Sequence, residues 1–129
     1  MSTNIKSTKN FFDACRIAGR IRQSMPPLPN GVSPRHVHVV DAITQLSKDG
    51  SEVRVSDVSE LLGVTRPGIT RAISELEELD MVEKAQGQKD GRTVIVQLTS
   101  KGKQLYTKYV KEYFEDVTQA ISGIDSSRL

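Results

Sequence analysis

With 129 residues, 36% hydrophobic and 26% charged, the chain is long enough to bury roughly two thirds of its unfolded surface as a single globular domain, 1–129. It holds no apolar run near the roughly 18 residues that cross a bilayer, and MSTNIKSTKNFFD lacks a basic-then-apolar leader, so no membrane partner and a cytoplasmic location are expected. The net charge of +2 is uneven: residues 1–35 carry six Lys/Arg against one Asp, 36–83 four against ten Asp/Glu, and 84–103 five against Asp90 alone.

Such basic islands suit a phosphate backbone, whose neutralisation releases counterions, although an ordinary solvated face has the same appearance. Cys15, the single cysteine, can form neither an internal disulfide nor a thiolate metal cluster.

Phe11, Phe12, Cys15, Ala18, Ile21 and Met25 recur at three- and four-residue spacing, which predicts an amphipathic helix over 8–25, stopped by Pro26, Pro27 and Pro29. Cys15 stands on the apolar stripe and is expected to be buried and inert, even with Arg16, Arg20 and Arg22 close enough in sequence to favour a thiolate. Ser33 and Pro34 then open a second helix that buries Val37, Val40, Ile43 and Leu46 and closes at Asp49-Gly50. Its histidines, His36 and His38, point in divergent directions on a helix, so they are expected to be ordinary residues and not metal ligands. Val53 and Val55 flank Arg54 in what reads as a brief strand.

The stretch SDVSELLGVTRPGITRAISELEELDMV, Ser56 to Val82, is more specific. Ser56 caps a short helix burying Val58, Leu61 and Leu62, Gly63 turns the chain, and Thr65 caps a second helix with Ile69, Ala72, Ile73, Leu76 and Leu79 inside. Ser59 is small enough for the two helices to cross closely. This is a helix-turn-helix pattern. On the second helix Arg66 and Pro67 stand at the start, and Pro67, Thr70, Arg71 and Ser74 fall opposite the core, with no carboxylate before Glu75. A helix that enters a major groove presents its N-terminal end in this way.

Val82–Ala85 and Arg92–Leu98 then alternate as strands, with Val94, Val96 and Leu98 on one face, around the turn-rich tip GQKDG. A hairpin directly after the second helix is a wing. Lys89 and Arg92 would serve the sugar-phosphate backbone or minor groove, and Asp90 would hold Arg92 through a charge-assisted bond. Thr99 caps a long helix with Leu105, Tyr109, Tyr113, Val117, Ala120 and Ile124 in its stripe. Tyr106, Tyr109, Tyr113 and Phe114 read as packing surface in preference to an aromatic ligand pocket.

The order of strand, two helices, wing with Asp90-x-Arg92, then Leu98-Thr99-x-x-Gly102, resembles the MarR family of regulators, with Thr70-Arg71 and Leu76-Glu77 also matching. The resemblance implies a mainly α fold with a small β-wing: a winged helix-turn-helix core at 33–98 flanked by dimerisation helices at 8–25 and 100–124. It further implies a homodimeric, sequence-specific regulator of double-stranded DNA, a repressor on a pseudo-palindromic operator, with a small-molecule effector and no cofactor.

Three features depart from the family. Asp80 stands where glycine is usual, Gly91 replaces a wing-tip arginine, and a chain ending at Leu129 is expected to have an absent or vestigial last dimerisation helix. Self-association is then expected to rest on Phe11, Phe12, Ile21 and Met25 of the first helix and on Tyr113, Val117 and Ile121 of the last, with Val117→Glu giving monomers. Two rival readings stay open: a winged-helix protein-interaction module whose acidic segment Glu75–Glu83 docks a basic partner, and a ligand-binding protein without specific DNA binding. No Ser/His/Asp arrangement, phosphate loop or paired-carboxylate site supports an enzyme.

Overall fold

The computed structural model describes residues 4–88 and 91–126. Its elements run α1 (Ile5–Ser24), α2 (Pro34–Leu46), α3 (Val55–Leu62), α4 (Arg66–Glu78), β1 (Val82–Gln86), β2 (Val94–Leu98) and α5 (Ser100–Tyr106), then a π-helical turn (Thr107–Lys111) and α6 (Glu112–Ser126). They divide into two compact units, Leu28–Val110 and the residues up to Pro27 with those from Lys111 onward.

In the Leu28–Val110 unit the buried stripes of three helices meet. Val40 and Ile43 of α2, Val58 of α3, and Ile69, Ile73 and Leu76 of α4 are almost fully enclosed. Gly63 ends α3 at φ 65, a left-handed conformation that glycine adopts without a Cβ penalty. Ser59, one turn before, accepts the Val64 N–H on its carbonyl and donates its hydroxyl to the Val64 carbonyl, so the corner is hydrogen-bonded from both sides. The expected cap moves. Helix α3 starts at Val55, and the Asp57 carboxylate accepts the Arg54 N–H at 2.9 Å, so Ser56 lies inside the first turn. An early helix start also leaves the expected strand at Val53–Val55 as a single bridge, Arg54 to Ile95.

The wing pairs β1 with β2 antiparallel, from Val82 opposite Leu98 to Gln86 opposite Val94. The expected alternation is overridden here. Ile95 and Val96 are both buried while Val94 is 50% exposed. The cause is the bridge segment, whose Val53 carbonyl accepts the Val96 N–H at 2.8 Å and which so covers the middle of β2 from its other edge.

Helix α4 ends with Leu79 as cap, Asp80 at φ 60, Asp80 N–H on the Glu77 carbonyl and Met81 N–H on the Leu76 carbonyl. This is a Schellman closure, and it explains why glycine is usual at that position. Asp80→Gly is expected to raise stability by about 0.5–1 kcal/mol, the strain relief being partly offset by a freer unfolded chain. A higher urea midpoint with unchanged slope checks this; a lower midpoint contradicts it.

Thr99 caps α5 as expected, accepting Gly102 N–H at 3.2 Å. The expected long stripe is shifted by the π-helical turn. Burial steps from Leu105 to Val110, and Tyr109 is only partly buried, because i→i+5 bonding inserts one residue per turn. Ala120 is exposed, and the Ile124 side chain lies outside the described residues.

In the other unit α1 packs along α6, tied by Tyr113 Oη donating to the Ala18 carbonyl at 3.1 Å. Two helices make one seam and cannot surround a stripe, so no residue of α1 is fully buried. Cys15 is therefore exposed, contrary to the burial expected. Val117, expected to face a second chain, is instead 9% exposed inside this helix pair. Among the described residues of this unit, the large apolar groups left outside are Ile5, Phe11, Phe12 and Phe114.

Candidate nucleic-acid interface

Local sequence decides how α4 is presented. Its Ile69, Ala72, Ile73 and Leu76 are drawn into the core, which turns Arg66, Pro67, Thr70 and Arg71 outward. Ser74, expected on the same outer face, is half-buried. The first turn holds no acidic residue, so nothing offsets the positive end of the helix dipole. Arg92 is exposed just before β2, while Lys89 and Asp90 lie outside the described residues. On the wing's near side, Glu52 accepts the Gln88 N–H at 2.7 Å and anchors the turn to the domain.

Sequence reasoning missed two contributors. Arg35, the second residue of α2, is exposed and brings Nη1 to 3.6 Å from the point that a Cβ on Gly68 would occupy. A cation thus stands beside the first turn of α4. The basic balance of residues 1–35 held the only signal for it. The second contributor is His36, 5% exposed, whose Nε2 lies 2.9 Å from Glu75 Oε1 while its Nδ1 accepts the Ser33 N–H at 2.9 Å. Glu75 Oε2 lies 3.6 Å from Arg71 Nε. His38 is exposed, so the two histidines diverge as the helix period requires.

The hydrogen bond from His36, opposed by desolvation and helped by the charge of Arg71, holds the Glu75 carboxyl below its ordinary value of 4.5. Stability from this group is therefore present above that ordinary value and is lost as pH falls through the lowered folded one. Lys84 pairs with Glu77 at 3.5 Å and ties the wing to the far end of α4.

A cavity of about 680 Å³ opens on another side of the same unit, lined by Thr44, Ser47, Glu52, Val53, Lys103 and Tyr106 among others. Among the described residues no group of three His, Cys, Asp or Glu is placed to hold a metal, and no helix is long and apolar enough to cross a membrane.

Two helices crossing at a left-handed glycine, followed by an antiparallel hairpin, define a winged helix-turn-helix protein. Residues 30–93 match the MarR family model, and through this winged-helix segment the chain belongs to the MarR family. Solved structures agree on the fold. The Multiple Antibiotic Resistance Repressor MarR superposes with TM-score 0.68 at 16% identity, covering 95% of this chain and 84% of that one. Streptococcus pneumoniae FabT, solved in complex with DNA, gives 0.65 at 22% identity, with 90% and 78% covered. Bordetella bronchiseptica BpsR, solved in work on the regulation of its DNA binding by 6-hydroxynicotinic acid, gives 0.57 at 21% identity, with 88% and 81% covered. No curated protein matches the chain in sequence.

Proposed function

We propose that the chain is a homodimeric, sequence-specific DNA-binding transcriptional regulator, a repressor acting in the cytoplasm on a pseudo-palindromic operator. The observation that carries this reading is the outer face of α4, where Arg66, Pro67, Thr70 and Arg71 stand exposed at the end that holds no carboxylate. Arg71 and Thr70 meet base edges in the major groove, and Arg66 and Arg35 meet phosphates beside the helix start. Ser74 joins the groove face with the part of its surface that is exposed. Arg92 and Lys89 serve the wing, with Asp90 orienting Arg92. FabT bound to DNA and the repressor MarR, which share the fold, support the DNA-binding reading.

The helices at 8–25 and 100–124 join two chains, and their unenclosed aromatic groups supply the surface. A small-molecule effector is also proposed, on the precedent of BpsR, with the cavity beside Tyr106 as its candidate site. The acidic run Glu75–Glu83 is poorly suited to docking a basic partner, since Glu75 and Glu77 are already paired within the chain.

The test is binding to a fluorescent duplex across a salt series. Arg92→Ala and Arg35→Ala are each expected to weaken binding to all duplexes alike and to reduce the log-salt slope by about one unit, as loss of one phosphate contact does. Slopes and affinities unchanged from the parent would remove both residues from the interface.

A further inference from the structure

We propose that His36 and Glu75 are positioning residues for Arg71, holding its guanidinium for one base edge and keeping it off the phosphate backbone, so that they set sequence preference without touching DNA. This inference rests on the DNA-binding reading given above.

Arg71 has an 84% exposed side chain, and an exposed ion pair on a helix surface is worth little by itself. Its order is also the weaker one, with the cation N-terminal to the carboxylate. Glu75 differs from an ordinary surface partner because its other oxygen is held from a second helix. The Ser33 N–H meets a lone pair on His36 Nδ1, which leaves the ring proton on Nε2, aimed at Glu75 Oε1 at 2.9 Å. Both ring nitrogens are thus committed, and the ring itself is buried. A chain of contacts runs from the Ser33 backbone at the α2 cap through imidazole and carboxylate to an exposed guanidinium. A ligand-binding histidine is oriented by the same device, its far nitrogen fixing the tautomer and direction of the near one.

Two consequences follow for recognition. Arg71 loses less conformational freedom on meeting a guanine edge, because its Nε side is already directed by a fixed partner. The carboxylate at 3.6 Å also repels phosphate oxygens, which makes a backbone contact by Arg71 unfavourable while leaving the guanine acceptors accessible. The His36 bond stabilises the Glu75 anion and holds its carboxyl below its ordinary value.

The experiment uses the full chain and duplexes enriched from a randomised pool, with binding measured on the preferred duplex and on one carrying a swap at the base pair sensitive to Arg71→Ala. Glu75→Gln keeps the shape and an acceptor for His36 and removes the charge. It is expected to lower the preferred-to-swapped affinity ratio about tenfold, mainly by strengthening binding to the swapped duplex. In an Arg71→Ala background the same change is expected to leave the ratio within about twofold. His36→Gln should lower the ratio in the same direction, and because Glu75 is half-exposed, Glu75→Gln remains informative even if the histidine variant unfolds. An unchanged ratio in Glu75→Gln, an equal fall with and without Arg71, or uniform weakening on both duplexes overturns the positioning role while leaving DNA binding intact. A pool from which no duplex is enriched overturns the DNA-binding reading, and this inference with it.

Discussion

Gly102→Ala is expected to destabilise the Leu28–Val110 unit by about 3 kcal/mol, lowering its melting temperature by roughly 15 °C. Helix propensity alone argues the other way, since alanine inside a helix is favoured over glycine by about 1 kcal/mol. Packing decides the sign. A Cβ on Gly102 would sit on the carbonyl oxygen of Met81, and a backbone oxygen has no rotamer by which to move aside. That oxygen already accepts the Thr99 N–H at 3.1 Å, and the Thr99 hydroxyl donates to the Asp80 carbonyl, so shifting Met81 loosens the closure of α4 and the start of α5 together. Thermal unfolding followed by circular dichroism checks the result. A melting temperature equal to or above the parent's would mean that the α5 start is free to move away and that propensity wins.

That junction also shows where sequence is informative and where it is silent. Thr99 was readable as a cap because capping needs only a hydroxyl ahead of a helical pattern. The need for glycine at 102 was not readable, because the obstructing atom belongs to Met81, across the hairpin. The helix-turn-helix was legible for the same local reason as the cap: α4 buries Ile69, Ala72, Ile73 and Leu76 at the spacing their sequence order predicts. What failed were features set by partners distant in the chain. Ile95 is buried against alternation because Val53 and Arg54 cover its strand. His36 gains its role from Glu75, 39 residues away, and Arg35 from lying beside Gly68. The stripe of the last helices slipped because helical spacing assumes i→i+4 bonding throughout, and Thr107–Lys111 breaks that assumption. On the outer face of α4 itself, Pro67, Thr70 and Arg71 were legible, since exposure there follows from the burial of their neighbours.

Replacing both Phe11 and Phe12 with glutamate is expected to yield a folded monomer whose affinity for a two-half-site operator falls about 100-fold or more, because the second recognition helix no longer binds as a tethered partner. Phe11 and Phe12 are 64% and 65% exposed, and Phe114 on α6 is 58% exposed. Three aromatic rings left in water by one small helix pair are costly, at roughly 25 cal/mol for each Å² of apolar surface that a partner would cover. Two-fold operators further require the paired recognition helices to stand about 34 Å apart, a distance that some surface between chains must fix. Val117→Glu is a poorer probe than the sequence suggested. Val117 is enclosed between α1 and α6, so a charge there opens the pair that carries the proposed surface before it can test that surface. The phenylalanine pair avoids this, since its exposed rings contribute little to packing within the chain. Light scattering on parent and variant, with duplex binding alongside, gives the answer: a parent that is monomeric at tens of micromolar and still binds a single half-site specifically would remove the dimer from the mechanism, and an unchanged variant would move its surface elsewhere.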